Sequence, residues 1–251
     1  FFKILNQIFK IKKFHKIKKS NLFISYERND EITKNLSLEC DYRVIWGSDK
    51  TVQKIKLLST KPNCKELIFP DRYSISLINV DYLSKIKDND LKILTNKFYL
   101  DTLLFDQNAC SSPHLIIWYG KKNIKTYQKF WKYFNSSIKS GKYFNINEKN
   151  KIDKYTKFCE LAAKRTEIKK SINEDYISRM ILSKIPKDVQ DLRVGFGFFF
   201  EYFIKELKQI TNCINTKIQT LTYFGFKQSE LKKFIYNQKP NGIDRMIPIG
   251  R

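Results

Sequence analysis

Glycine and proline are scarce in this chain, 8 and 6 among 251 residues, while hydrophobic residues make up 42%. That composition argues against a disordered or linker-like polypeptide and predicts a folded one, with one large core or two modest ones. No internal repeat is visible, and no apolar run approaches the length that crosses a bilayer, so no integral membrane segment is expected. The five cysteines form no CxxC pair and no Cys/His cluster, which argues against a structural zinc or other bound metal. Their odd number, with no secretory signal, fits a reducing cytoplasm.

What the chain has in excess is positive charge: 48 Lys and Arg against 25 Asp and Glu, a formal net charge of +23. The carriers are mainly lysines scattered among Ile, Asn, Phe and Tyr, a mixture that AT-rich codons produce without selection for binding. No RRM, KH, helix-turn-helix or zinc module accompanies them, so nucleic acid is not the expected partner; small polyanions are compatible. The densest basic run, Lys3 to Asn21, brings Phe9, Ile11, Phe14 and Ile17 near one another on a helical wheel. An amphipathic helix packed on a sheet with a solvated lysine face is the favoured reading, and a membrane-surface helix the other. His15 has no ligand or catalytic neighbour and is expected at the surface.

The stretch FDQNACSSPH, Phe105 to His114, followed at once by LIIWY, places Cys110 among small residues just before a predicted buried strand. A thiol with small neighbours can be approached closely by a substrate, and free N–H groups at the start of an element can stabilise its thiolate. Cys40, Cys64, Cys159 and Cys213 lie among apolar or helix-type charged neighbours and are expected to be inert core residues. His114, four positions beyond Cys110, suggests a Cys/His pair, but a residue at the mouth of a strand usually points elsewhere.

Along the rest of the chain, DYRVIW reads as a buried strand, Gly47 and Ser48 as a turn, and the segment from Asp49 as a helix through Val52, Ile55 and Leu58. A glycine turn opening a helix brings backbone N–H groups and the positive end of the helix dipole toward a phosphate, although most such turns are only structural. KELIFPDRYSISLINVDYL reads as strands around an Asp71 to Ser74 turn, with Arg72 either meeting a ligand phosphate or pairing with Asp71. DNDLKILTNKFYLDTLLF is helical, Lys121 to Ile185 is long, charged and helical, and LRVGFGFFFEYFI is a strand or strand pair whose glycines allow close packing.

Three separated segments resemble the LuxC-type acyl-CoA reductases, fatty acyl-CoA reductases of the aldehyde dehydrogenase superfamily known from bioluminescence operons. They are DYRVIWGSDKTVQKIK from Asp41, the pair DRYSISLI from Asp71 and DQNACSSP from Asp106, and the tail QTLTYFG from Gln219 with NGIDRMIPIG from Asn241. The resemblance implies an aldehyde dehydrogenase-like α/β fold. The end of a Rossmann-type cofactor domain would occupy residues 1–80 and an α/β catalytic domain residues 81–251. It also implies that the family's first half lies upstream of Phe1 and a short stretch beyond Arg251.

By the same resemblance, Cys110 is the nucleophile that takes the acyl group of a long-chain fatty acyl-CoA, and its backbone N–H helps to hold the oxyanion. NADPH supplies the hydride, and Gly47 and Ser48 lie beside the cofactor. Glu201 is the candidate equivalent of the superfamily's ribose-binding glutamate. The glutamate with which aldehyde-oxidising relatives activate water has no clear counterpart, which suits a reductase that must keep its thioester. Gln219, Thr220 and Arg245 fall in matching motifs and are expected to be structural. A homo-oligomer and an acyl-protein synthetase or acyltransferase partner are further expectations. A CoA-acylating short-chain aldehyde dehydrogenase, a basic nucleic-acid-binding protein and an inactive interaction fragment remain alternatives.

Overall fold

The computed structural model describes residues 2–141, 145–174 and 176–251. They form two compact units that divide after Pro70, not near residue 80. The reason lies in strand pairing: YSISLIN, expected at the end of the cofactor domain, is hydrogen-bonded on both sides within the second unit.

In the first unit, α1 (Phe2–Ile8) and α2 (His15–Ser20) are separated by a 3-10 turn at Lys12–Phe14 and bury no residue. The continuous packed helix expected over Lys3 to Asn21 is therefore not formed. Ile11 is extended (φ −76°, ψ 122°), and two short segments that bury none of their residues gain too little to fuse into one helix. After α3 (Asp30–Glu39) comes a strand–helix–strand unit of β1 (Tyr42–Gly47), α4 (Asp49–Lys56) and β2 (Lys65–Pro70), the two strands parallel. The period of two in β1 turns Arg43 and Ile45 inward, and Arg43 is paired with Glu66 on β2. Tyr42, Val44 and Trp46, with Leu67 and Phe69 of β2, leave the other face of this sheet exposed.

The second unit opens with β3 (Tyr73–Asn79), α5 (Val80–Leu83), α6 (Asp88–Leu103) and β4 (Pro113–Tyr119). It continues through α7 (Ile124–Ser140), α8 (Glu148–Lys164), β5 (Ile168–Asn173), β6 (Ser178–Leu182), β7 (Phe198–Ile204), β8 (Ile218–Phe224), α9 (Gln228–Gln238) and β9 (Arg245–Pro248). The sheet order is β5-β6-β7-β4-β3-β8-β9, parallel except for β5, which runs antiparallel at one edge. Continuous burial along β3 and β4 follows from a parallel sheet covered on both faces. Ile75, Leu77, Leu115 and Ile117 belong to one core, while Ile116, Trp118 and Phe199 pack in the other with Phe98 of α6 and Phe130 and Phe134 of α7.

The long helical region expected up to Ile185 ends at Lys164 and gives way to β5 and β6. Lys169 and Lys170 disguise β5 as a charged helix; on an edge strand such lysines keep a second sheet from pairing. The register of β3 shifts against both neighbours near its start, leaving His114 and Gln219 as extra residues. Bulges of this kind re-aim side chains beside functional turns.

Candidate active site

The chain leaves α6 at Leu103 and reaches β4 at Pro113, and the segment between them carries Cys110. Asp106 and Gln107 are left-handed (φ 53° and 62°), which reverses the chain sharply enough to turn the Gln107 side chain inward. That side chain is fully buried. Its Nε2 donates to the carbonyls of Pro113 and Phe198, and its Oε1 accepts from the amides of Gly197 and Phe198, all at 3.0 Å. On the outer side Arg193 donates to Asn108 O at 3.0 Å, to Arg72 O at 3.1 Å and to the Asp71 carboxylate at 2.7 Å. The Ser74 hydroxyl donates to Cys110 O at 2.6 Å, and the Ser112 hydroxyl to Asp101 O at 2.9 Å. Asp101 also accepts from the Gly250 amide, and burial pushes its carboxyl up to about 6.

Against this bonded frame, the groups that stay free stand out. Among the described residues the Cys110 thiol and the amides of Cys110 and Ser111 have no partner. The residue is half-buried in its small-residue turn. A nucleophile and two unpaired donors thus lie in consecutive residues, the composition of a site that attacks a carbonyl and holds the resulting oxyanion.

The other cysteines divide differently from expectation. Only Cys213 is buried, and burial pushes its thiol up to about 12; Cys40 and Cys64 are half-buried and Cys159 is exposed. Cys40, Cys64 and Cys213 donate to the carbonyls of Leu36, Lys65 and Ile210. Cys159 sits within α8, where the helix's own bonds occupy the amides.

His114 makes no bond to Cys110. It is buried, stacked on Tyr73 with ring centroids 5.5 Å apart, and neither ring nitrogen has a hydrogen-bond partner. Burial first, then the nearby Arg193 charge, push its pKa down to about 3, so it is neutral. Asp71 is taken by Arg193, and the half-buried Arg72 guanidinium has no partner among the described residues.

In the first unit, Ser48 caps α4 by accepting from the Thr51 amide at 3.2 Å, and a Cβ on Gly47 would come within 3.0 Å of the Thr51 methyl. Exposed Lys50 stands on the first turn of α4, which favours an anion, while Asp49 in the same turn opposes one. Glu201 departs from the expected cofactor role. It is fully buried on β7, where Trp118 and Trp131 donate to Oε2 at 2.7 and 3.0 Å and Arg179 donates to Oε1 at 3.1 Å. Both oxygens are spent inside the core, so none faces a ribose.

The family model for acyl-CoA reductase (LuxC) matches residues 3–251. The chain belongs to the LuxC acyl-CoA reductase family. No curated protein sequence matches this LuxC-family chain significantly. Its fold is similar to that of a 1-pyrroline-5-carboxylate dehydrogenase from Thermus thermophilus, at TM-score 0.59 and 10% identity over 88% of this chain and 46% of that one. It is also similar to an NAD-dependent benzaldehyde dehydrogenase from Corynebacterium glutamicum, at TM-score 0.56 and 12% identity over 89% and 49% of the two chains. Lactaldehyde dehydrogenase from Escherichia coli gives 0.54 and 11% over 88% and 48%. The fold is accordingly α/β of the aldehyde dehydrogenase type, and the LuxC-family chain spans about half the length of these structures.

Sequence reasoning singled out Cys110 but passed over Gln107 and Arg193. The only signal for Gln107 was a long polar side chain in a turn of otherwise short ones, and its partners at Gly197 and Phe198 are remote in sequence.

Proposed function

We propose that the protein reduces a long-chain fatty acyl-CoA to a fatty aldehyde with NADPH, through an S-acyl intermediate on Cys110. The observation that carries this reading is the unpaired thiol with two unpaired amides, in a turn that Ser74, Gln107 and Arg193 hold in place. The Cys110 thiolate attacks the acyl carbonyl, the amides of Cys110 and Ser111 stabilise the oxyanion, and the carbon–sulfur bond to CoA breaks as the CoA thiolate leaves. A bound reduced nicotinamide supplies hydride. The resulting thiohemiacetal on Cys110 then collapses to aldehyde and regenerates the thiolate.

Gly47, Ser48 and Lys50 are the residues offered for the cofactor phosphates. Arg72, whose backbone carbonyl shares Arg193 with the nucleophile turn, has a free guanidinium that suits the phosphates of CoA or of the cofactor. An acyl-protein synthetase or acyltransferase as acyl donor, a homo-oligomeric state and a cytoplasmic location complete the proposal. No helix among the described residues is long and apolar enough to cross a membrane.

The test is acylation of the intact protein by tetradecanoyl-CoA without NADPH, followed by peptide mass spectrometry. The adduct is expected on the Cys110 peptide and absent from Cys110→Ser, which should also lose reductase activity while retaining cofactor binding. An adduct on Cys40 or Cys159 with none on Cys110 would refute the assignment. Running acetyl-CoA in parallel tests the chain-length preference: faster acylation by acetyl-CoA would favour a short-chain enzyme.

A further inference from the structure

Gln107 occupies a left-handed backbone position, where glycine would be unstrained, yet the chain places a long amide there and buries it fully. A carboxamide offers two donor hydrogens and an acceptor oxygen with two lone pairs, and at Gln107 all four capacities are used at 3.0 Å. The partners lie at the starts of two adjacent strands, Pro113 on β4 and Phe198 on β7, together with Gly197 just before β7. No other natural side chain matches them: a carboxylate lacks the donors, an asparagine lacks the reach, and an apolar residue removes all four bonds, leaving the Phe198 amide only its bond to the Gly195 carbonyl.

We infer that Gln107 is the positioning residue of the nucleophile. Its amide fixes the turn to β4 and β7, so that the Cys110 thiol and the free amides of Cys110 and Ser111 present one geometry to an acyl carbonyl. Strain retained at Asp106 and Gln107 is consistent with a conformation held for function. The inference rests on the acyl-transfer reading of Cys110. It adds that productive attack depends on a side chain that touches neither substrate nor cofactor.

Two reactions of the same thiol separate positioning from intrinsic reactivity. Acylation by tetradecanoyl-CoA needs the thiol and the oxyanion donors aligned; alkylation by iodoacetamide needs only an accessible thiolate. In the intact protein, Gln107→Leu should slow acylation roughly 100-fold, the scale of an ångström-level misplacement, and leave alkylation near the wild-type rate. In Gln107→Glu the carboxyl can donate to one carbonyl while protonated but repels both when ionised. Its acylation rate relative to wild type should therefore fall as pH rises from about 6 to about 9, the range over which a buried glutamate ionises.

Equal slowing of both reactions, or no slowing of either, would overturn the inference while leaving Cys110 as the nucleophile. If the Leu variant does not fold, the pH dependence of the Glu variant decides, and a ratio to wild type that is flat with pH overturns it. Absence of an acyl adduct on Cys110 in the wild-type protein would overturn both this inference and the function on which it rests.

Discussion

Inside the sheet, His114 keeps a neutral imidazole against the Tyr73 ring with no hydrogen bond to either nitrogen. The unfolded chain takes up a proton there near pH 6.5, whereas the folded protein resists until about pH 3. Across that window the unfolded state binds more protons, so stability is lost as pH falls and is complete only above pH 6.5. Replacing the imidazole by an uncharged ring of similar width, His114→Phe, should remove a few kcal/mol of that acid sensitivity. Urea titrations at several pH values in this window measure it, and an unchanged pH slope would contradict the assignment of His114 as a buried neutral group. Residue by residue, the turn that carries Cys110 ahead of β4 was legible, because small neighbours in a turn are a local feature. Gln107 and Arg193 were not, because their meaning depends on left-handed backbone and on segments distant in sequence.

At the level of elements, Glu201 ties together β4, α7, β6 and β7 through Trp118, Trp131 and Arg179. Arg179 also lies over the Trp131 ring at 4.9 Å and pairs with Glu174 at 2.8 Å. With three donors converging on one carboxylate, Glu201→Gln must aim an amide hydrogen at an existing donor and removes the charge opposite Arg179. A loss of about 3 kcal/mol is expected from breaking such a buried pair, with the melting temperature as readout. Cofactor affinity should change little below that temperature; a selective loss of it would restore the ribose-binding role. The strands β3, β4 and β7 were readable from continuous apolar runs. β5 was not: its lysines suit an edge strand and imitate the charged face of the helix before it.

Across the whole molecule, the aldehyde dehydrogenase-type fold was legible in the order of motifs, whereas the position of the boundary was not. Nothing in YSISLIN marks which sheet it joins, and only its pairing with β4 and β8 assigns it to the second unit. The first unit keeps an apolar face of its two-stranded sheet in solvent, with Trp46 75% exposed beside Phe69. The second holds its own tryptophans, Trp118 and Trp131, at 0% and 1%.

The three tryptophans of the chain are therefore divided between the units as separate optical reporters. Trp46 should emit at the red end of the indole range and be quenched by acrylamide, while Trp118 and Trp131 emit to the blue and are shielded. Steady-state quenching of the native protein should give two populations, and Trp46→Phe should abolish the accessible one. Equal access of the quencher to all three would contradict this division. With that assignment in hand, fluorescence alone can tell which unit opens first in a denaturant series, without a probe attached to either.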